Sequence, residues 1–228
     1  MTIFRDRSDA GRQLAKRLMH YAGQSDVVVL ALPRGGVPVA YEVARALHAP
    51  LDIFLVRKLG VPGHEELAMG AIASGGVRVL NPDVIEGLAI PDRVIDAVAR
   101  REQQELERRE RAYRKGRPPV PIQGKVVILI DDGLATGASM QAAVEGLKAQ
   151  GPRRIVVAVP TAAPETCAAF KQFVDEVVCV VTPRPFFGVG QWYDNFSQMT
   201  DEEVQAYLAQ AAQDFSSEQS FEQERSAR

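Results

Sequence analysis

The chain has 228 residues, 46% of them apolar and 25% charged, and its formal net charge at pH 7 is -2. This composition supports a globular protein with a full core, and the near-neutral charge argues against a general nucleic-acid binder. The apolar runs are shorter than the ~20 residues that cross a bilayer, and the first residues lack the apolar segment of a signal peptide. Cys167 and Cys179 lie among apolar residues and make no disulfide framework. These features predict a cytoplasmic protein that has no membrane partner.

The first half of the chain alternates between helical spacing of apolar residues and short apolar runs. The predicted elements are a helix over 9–22, a strand over 27–32, a helix over 37–47, a strand over 51–56 and a short strand over 77–80. Residues 57–76 hold five glycines, one proline and few β-branched residues. This composition predicts a long flexible loop between the last two strands.

The second half of the chain continues the alternation. The predicted elements are helices over 91–113, 139–149 and 164–173, and strands over 125–130, 155–159 and 176–181. The five longer strands are apolar throughout, which is typical of a parallel sheet covered on both faces. We therefore expect an α/β fold, a doubly wound and mostly parallel five-stranded sheet with helices on both faces, the flexible loop and a small C-terminal flap.

The same patterns indicate how the chain is divided. Residues 1–210 are expected to form one domain, with its core at about 27–181 and the flap at about 182–210. The stretch 211–228 is rich in Ser, Gln and Glu, a composition that predicts a disordered tail.

The segment 126–139, VVILIDDGLATGAS, combines the features of a phosphate site. A hydrophobic strand runs into Asp131 and Asp132, and a loop with Thr136 and Ser139 leads into a predicted helix. Ligands of open parallel sheets bind at the carboxyl ends of the strands, and a helix N-terminus offers N–H groups and a positive dipole to phosphate. The two carboxylates suit ribose hydroxyls or Mg²⁺. The alternative is that Asp131 caps the turn and the glycine only ends the strand.

The residues after this strand, DDGLATGAS, resemble the phosphoribosyl pyrophosphate signature of type I phosphoribosyltransferases. In that signature two acids precede Ala-Thr-Gly-Gly-Thr or a close variant. Here Gly133 stands where an apolar residue is more usual, Ala138 replaces a glycine, and Ser139 replaces a threonine but keeps the hydroxyl. The resemblance implies that Asp131 and Asp132 are catalytic and hold Mg²⁺ as cofactor. It also implies a 5-phosphate site formed by Ala135, Thr136, Gly137, Ala138 and Ser139.

The resemblance implies a second anion site as well. Arg34, Gly35 and Gly36 follow the first strand, where the family has its pyrophosphate loop, and an arginine pairs well with phosphate oxygens. In the family this loop often holds a non-proline cis peptide. Lys58 lies at the end of the second strand, where it would also meet pyrophosphate, so Arg34 and Lys58 would both stabilise the leaving group. The predicted loop 59–76 would close over the reacting centre.

Two further segments at this rim are candidates for an acceptor pocket. Thr161 follows the fourth strand of the sheet, and Trp192 and Tyr193 belong to the aromatic run 182–196. Aromatic rings at this place suit stacking on a base. The alternative is a flap that packs on the core or on a second copy of the chain.

The sequence therefore predicts a phosphoribosyltransferase that moves ribose 5-phosphate from phosphoribosyl pyrophosphate to an unidentified nitrogenous base and releases pyrophosphate. Two alternatives use the same site. One is a sensor of phosphoribosyl pyrophosphate or a nucleotide without catalysis, and the other is an enzyme of nucleotide phosphorolysis or hydrolysis. The resemblance also implies a homodimer, because the family commonly pairs, whereas nucleic acid is not an expected partner.

Overall fold

A computed structural model describes the backbone of residues 3–226 and the side chains of residues 3–217. The strands are β1 Val27–Ala31, β2 Leu51–Ile53, β3 Val56–Val61, β4 His64–Ala73, β5 Val77–Leu80, β6 Val126–Ile130, β7 Arg154–Thr161 and β8 Glu176–Val181. The α-helices are α1 Arg7–Leu18, α2 Gly36–Leu47, α3 Pro82–Gly87, α4 Asp92–Arg114, α5 Ala138–Lys148, α6 Pro164–Phe170 and α7 Asp201–Ser226. Within this part of the chain, no helix combines the length and the apolar character that crossing a membrane requires.

The central sheet has five strands in the order β2-β1-β6-β7-β8, and every neighbouring pair is parallel. Strands β1 and β6 are buried along their whole length because helices cover both faces of the sheet. Val27 and Val29 face a core formed with α1, α2, α4 and α7, whereas Val28 and Leu30 face a second core formed with α5 and α6. The predicted α/β class and the parallel five-stranded sheet are confirmed.

The predicted flexible loop at 59–76 is wrong. The segment forms β3, β4 and the turn between them, and with β5 these strands make a three-stranded antiparallel sheet. Leu59 and Met69 are fully buried against the core. Two of the segment's glycines, Gly60 and Gly70, allow neighbouring strands to pair closely. A Cβ at these positions would lie 2.7 and 2.3 Å, respectively, from a carbonyl oxygen of the neighbouring strand.

Several element boundaries also differ from the prediction. The predicted strand over 51–56 ends at Ile53, because the chain leaves the parallel sheet and enters the antiparallel one at Val56. The predicted helix over 9–22 is α1 followed by the 3₁₀ turn Met19–Tyr21. Helix α3 was not predicted.

The predicted disordered tail over 211–228 differs from the structure, in which α7 continues to Ser226. Ala211 is buried, and Asp214 accepts a hydrogen bond of 2.9 Å from the Tyr41 hydroxyl of α2. The composition of the tail did not predict this helix, because a few apolar residues are enough to hold it. Val204, Leu208 and Ala211 recur at helical spacing, and α7 packs on α2 and α4. Residues 227 and 228 of the predicted tail lie outside the described residues.

Candidate active site

The acid pair and the glycine loop meet at the carboxyl edge of the parallel sheet. Asp131 and Asp132 follow β6, and the loop with Gly35 and Gly36 follows the neighbouring strand β1. A Cβ at Gly35 would lie 2.0 Å from Asp132 Oδ2, and one at Gly36 would lie 2.7 Å from the Ile130 carbonyl oxygen. Glycine is therefore required at both positions for the loop to reach the acids. The peptide bond between residues 33 and 34 is cis, as the resemblance implies.

Arg7 joins the acid pair and was not predicted. Its Nε donates to Asp132 Oδ2 over 2.8 Å, and the side chains of the pair are only 11% and 14% exposed. Its other arm donates to the Ser197 carbonyl oxygen over 2.8 Å, and the guanidinium lies 4.0 Å from the centre of the Phe196 ring. A contact across 125 positions of sequence leaves no local pattern by which sequence reasoning could find it.

Burial raises the pKa of Asp131 well above its ordinary value, and the neighbouring charge of Asp132 raises it further. Burial also raises the pKa of Asp132, against the lowering effect of the Arg7 charge and hydrogen bond. The Asp131 carboxylate accepts a 2.8 Å hydrogen bond from the Asp132 backbone N–H. Burial therefore disfavours the ionised form of both carboxyls more than Arg7 favours it, and a bound cation would favour that form.

The residues of this edge fit a magnesium ion that also binds the substrate. In the described part of the chain, no group of three or more His, Cys, Asp or Glu side chains could hold a metal. Mg²⁺ commonly binds proteins through one or two carboxylates and takes its other oxygens from substrate phosphates and water. Asp131 and Asp132 supply such a pair.

The predicted 5-phosphate residues lie in the loop before α5 and in its first turn. Gly137 has φ +79°, and a Cβ there would lie 2.6 Å from the Phe170 ring, so glycine is needed for both the conformation and the packing. Ala135 is held by a hydrogen bond of 2.7 Å from the Thr166 hydroxyl to its carbonyl oxygen. Thr136, Ala138 and Ser139 are exposed beside the first N–H groups of α5, which have no partner within the helix.

Gly133, which departs from the family signature, has a structural reason. A Cβ at this position would lie 2.4 Å from Val189 Cγ1. Val189 begins a 3₁₀ turn that ends at Trp192. The segment after β8 therefore fills the space that a larger residue 133 would take.

Lys58 and Arg34 are each held by a carboxylate. Lys58 Nζ lies 3.2 Å from Glu66 Oε2 and lines a cavity of about 540 Å³ between the antiparallel sheet and α5, which Ser139 also lines. One guanidinium nitrogen of Arg34 lies 3.8 Å from Asp201 Oδ1. The structure thus groups Lys58 with the phosphate loop and Arg34 with the first turn of α7.

The three predicted acceptor residues have different surroundings. Tyr193 is buried, and its hydroxyl donates 2.6 Å to the Asp132 carbonyl oxygen. Trp192 stacks on Phe186 with the ring centres 6.5 Å apart. Thr161 is fully buried at the end of β7. Among the described residues, Thr161 Oγ1 and Trp192 Nε1 are buried without a hydrogen-bond partner.

An acid pair after the central strand, a glycine loop beside it and a helix N-terminal cradle define a site of the phosphoribosyltransferase class. Residues 5–190 match the family model described as "Phosphoribosyl transferase domain". The chain belongs to this family, whose enzymes are pentosyltransferases.

Relatives support the same assignment. The chain is 52% identical over 215 residues to a Mycobacterium tuberculosis H37Rv protein named "Putative phosphoribosyl transferase", covering 94% of this chain and 48% of that protein. The chain thus spans about half the length of this relative. It is 34% identical over 129 residues to the bifunctional protein PyrR of Chloroflexus aurantiacus, covering 55% of this chain and 65% of PyrR. The crystal structure of TT1426 from Thermus thermophilus has a TM-score of 0.80 and 45% identity, covering 91% of this chain and 98% of that one.

Proposed function

We propose that this chain binds phosphoribosyl pyrophosphate at the carboxyl edge of the sheet and transfers its ribose 5-phosphate to a nitrogenous base. The observation that carries the proposal is the meeting of three parts at that edge. The Asp131 and Asp132 pair and the N-terminus of α5 belong to one segment after β6, and the fold brings the distant Gly35 and Gly36 loop against it. Together they offer separate places for ribose, pyrophosphate and 5-phosphate.

In the proposed complex the exposed cradle Thr136–Ser139 holds the 5-phosphate through backbone N–H groups and hydroxyls. Asp131 and Asp132 accept hydrogen bonds from the ribose hydroxyls and lie near the sugar. Arg34 and Lys58 neutralise the pyrophosphate after release from Asp201 and Glu66.

The reaction breaks the bond between ribose C1 and the pyrophosphate oxygen, which leaves with the electron pair, and forms a bond from C1 to a nitrogen of the base. The base then loses the proton of that nitrogen. Positive charge develops on the sugar, where the Asp131 and Asp132 carboxylates stabilise it, so catalysis is mainly positioning and electrostatics. Asp131 and Asp132 would hold a bound Mg²⁺, which would supply positive charge to stabilise the leaving pyrophosphate.

We also propose that the base binds near Thr161, Trp192 and Tyr193. Trp192 supports this proposal, because its ring is partly exposed beside Phe186 and an aromatic ring at this place suits stacking on a base. A cytoplasmic location is a further proposal. The free cysteines Cys167 and Cys179 support it, since free thiols suit a reducing compartment.

The test is pyrophosphate release by the full chain with phosphoribosyl pyrophosphate, Mg²⁺ and a panel of purine and pyrimidine bases. Release that depends on one base supports the transferase. Asp131→Asn with Asp132→Asn should abolish release, whereas Asp26→Asn, at the opposite edge of the sheet, should leave it unchanged. Tight binding without release for any base contradicts the transferase and favours a sensor of phosphoribosyl pyrophosphate. Release that persists in the double variant means that the acids are not the site.

A further inference from the structure

Arg7 makes two hydrogen bonds with different arms of one planar group. Nε donates to Asp132 Oδ2 and Nη1 donates to the Ser197 carbonyl oxygen, both over 2.8 Å. The guanidinium is planar and rigid, so it cannot rotate to improve one of these hydrogen bonds without weakening the other. Its face lies on the Phe196 ring. The side chain is therefore fixed on three sides, although it comes from the first turn of α1.

The Arg7–Asp132 pair borders the pyrophosphate loop. The Cβ that Gly35 lacks would lie 2.0 Å from Asp132 Oδ2 and 3.3 Å from Arg7 Nε. The ion pair therefore fills the space under the loop, and a turn of the Asp132 carboxylate would change what a ligand on that loop contacts. Asp132 is also held at its backbone, because the Tyr193 hydroxyl donates to its carbonyl oxygen.

We propose that Arg7 is a positioning residue of the phosphoribosyl pyrophosphate site, which fixes the Asp132 carboxylate beside the pyrophosphate loop and ties it to the segment 193–201. The inference rests on the proposed function and adds a residue to it from outside the signature. Small displacements matter at such a site, because misplacing a reacting group by about 1 Å can cost on the order of a hundredfold in rate.

The same helix offers a matched control. Arg12 of α1 donates to Glu42 over 3.1 Å, and the Glu42 side chain is only 8% exposed. This pair links α1 to α2, and Glu42 is also bound by Arg45. Arg12→Gln therefore removes an ion pair from the same helix, but from a more exposed arginine, 42% against 11% for Arg7.

The test is titration calorimetry of the full-length chain with phosphoribosyl pyrophosphate and Mg²⁺, together with the melting temperature of each variant. Arg7→Gln should weaken binding about tenfold, because the Asp132 carboxylate would no longer be fixed beside the loop. Arg12→Gln should lower the melting temperature less than Arg7→Gln does, because Arg12 is exposed and Glu42 keeps Arg45, and it should change affinity less than about twofold. Arg7→Lys keeps the charge and should keep the melting temperature. Its affinity should still fall about threefold, because an ammonium group is not a planar fork.

A crystal structure of Arg7→Gln provides a readout that a purely structural role would not change. The Asp132 carboxylate should be rotated away from Gly35 while the backbone of 131–139 keeps its place. Equal affinities for Arg7→Gln, Arg7→Lys and wild type, or an unmoved Asp132 carboxylate, would overturn the inference while the proposed function stands. Failure of the wild type to bind phosphoribosyl pyrophosphate would overturn both.

Discussion

The Tyr193 hydroxyl donates a 2.6 Å hydrogen bond to the backbone carbonyl of Asp132, 61 positions earlier in the chain. Burial, with the charge of Asp132 adding to it, raises the pKa of this phenol, so the group stays a donor. The ring packs between Phe4 and Phe196, with centres 5.3 and 5.0 Å away. Tyr193 thus holds the turn that carries the acid pair.

Tyr193→Phe should remove this bond and keep the ring packing. We expect a loss of about 1 kcal/mol in the free energy of unfolding and a severalfold weaker affinity for phosphoribosyl pyrophosphate, measured by denaturant unfolding and calorimetry. Tyr41→Phe removes a comparable bond to Asp214 of α7 and should reduce stability alone. Equal affinities for the two variants would mean that Tyr193 does not support the site.

Gly35→Ala should damage the site directly, because the added Cβ would lie 2.0 Å from Asp132 Oδ2. Either the loop or the carboxylate has to move. We expect a loss of about 1–3 kcal/mol in the free energy of unfolding and an affinity for phosphoribosyl pyrophosphate at least about tenfold weaker. Gly87→Ala adds its Cβ into open space and should raise stability by up to about 1 kcal/mol. Wild-type affinity in Gly35→Ala would contradict the placement of this loop.

Asp201→Asn should free Arg34 for the ligand. The Asp201 carboxylate lies 3.8 Å from the Arg34 guanidinium and accepts 2.7 Å from the Tyr113 hydroxyl, so it competes with pyrophosphate for Arg34. Because both side chains are about half exposed, we expect only about a twofold gain in affinity for phosphoribosyl pyrophosphate.

The control for that gain is Glu202→Gln, which makes the same charge change one residue further along α7. Calorimetry at low and high salt should show a gain for Asp201→Asn that shrinks as salt rises. An equal gain in both variants would point to overall charge and not to release of Arg34.

Lys58→Ala tests the cavity between the antiparallel sheet and α5. Lys58 and Ser139 both line this cavity of about 540 Å³, a volume within the usual range for ligand sites. If Lys58 meets the pyrophosphate group, its loss should weaken binding of phosphoribosyl pyrophosphate about tenfold. Lys16→Ala removes an exposed lysine of α1 and serves as the control. Equal affinities for the two variants would exclude Lys58 from the site.

The sequence predicts the parts of this fold that depend on neighbouring residues. Strand β8 has the predicted bounds because five consecutive apolar residues follow Glu176, although as the edge strand it is only half-buried. Asp131, Asp132 and Gly137 could be found because the strand, the loop and the start of α5 follow one another in the single segment 126–139. The predicted loop at 59–76 failed because Gly60 and Gly70, typical of loops, here allow two strands to approach each other.

Other parts of the site could not be predicted because their partners are distant in sequence. Arg7 reaches Asp132 across 125 positions, and Asp201 reaches Arg34 from a helix whose later residues have a disorder-like composition. Each is an ordinary charged residue in its local sequence. Only the packing of α1 and α7 against the rest of the fold brings them to the acids and to the loop after β1.

Phe4 and Tyr193 form an isolated parallel β-bridge, which can form only after the ribosome has synthesised the chain as far as residue 193. The Phe4 N–H donates to the Trp192 carbonyl oxygen over 3.0 Å, and the Asp194 N–H donates to the Phe4 carbonyl oxygen over 2.9 Å. All eight described strands end by Val181, so a nascent chain can build its sheets before this bridge exists. At about 5–20 residues per second, the 61 positions between Asp132 and Tyr193 would take about 3–12 seconds to synthesise. Ligand binding would therefore have to wait for the segment around Tyr193, although all eight described strands precede it.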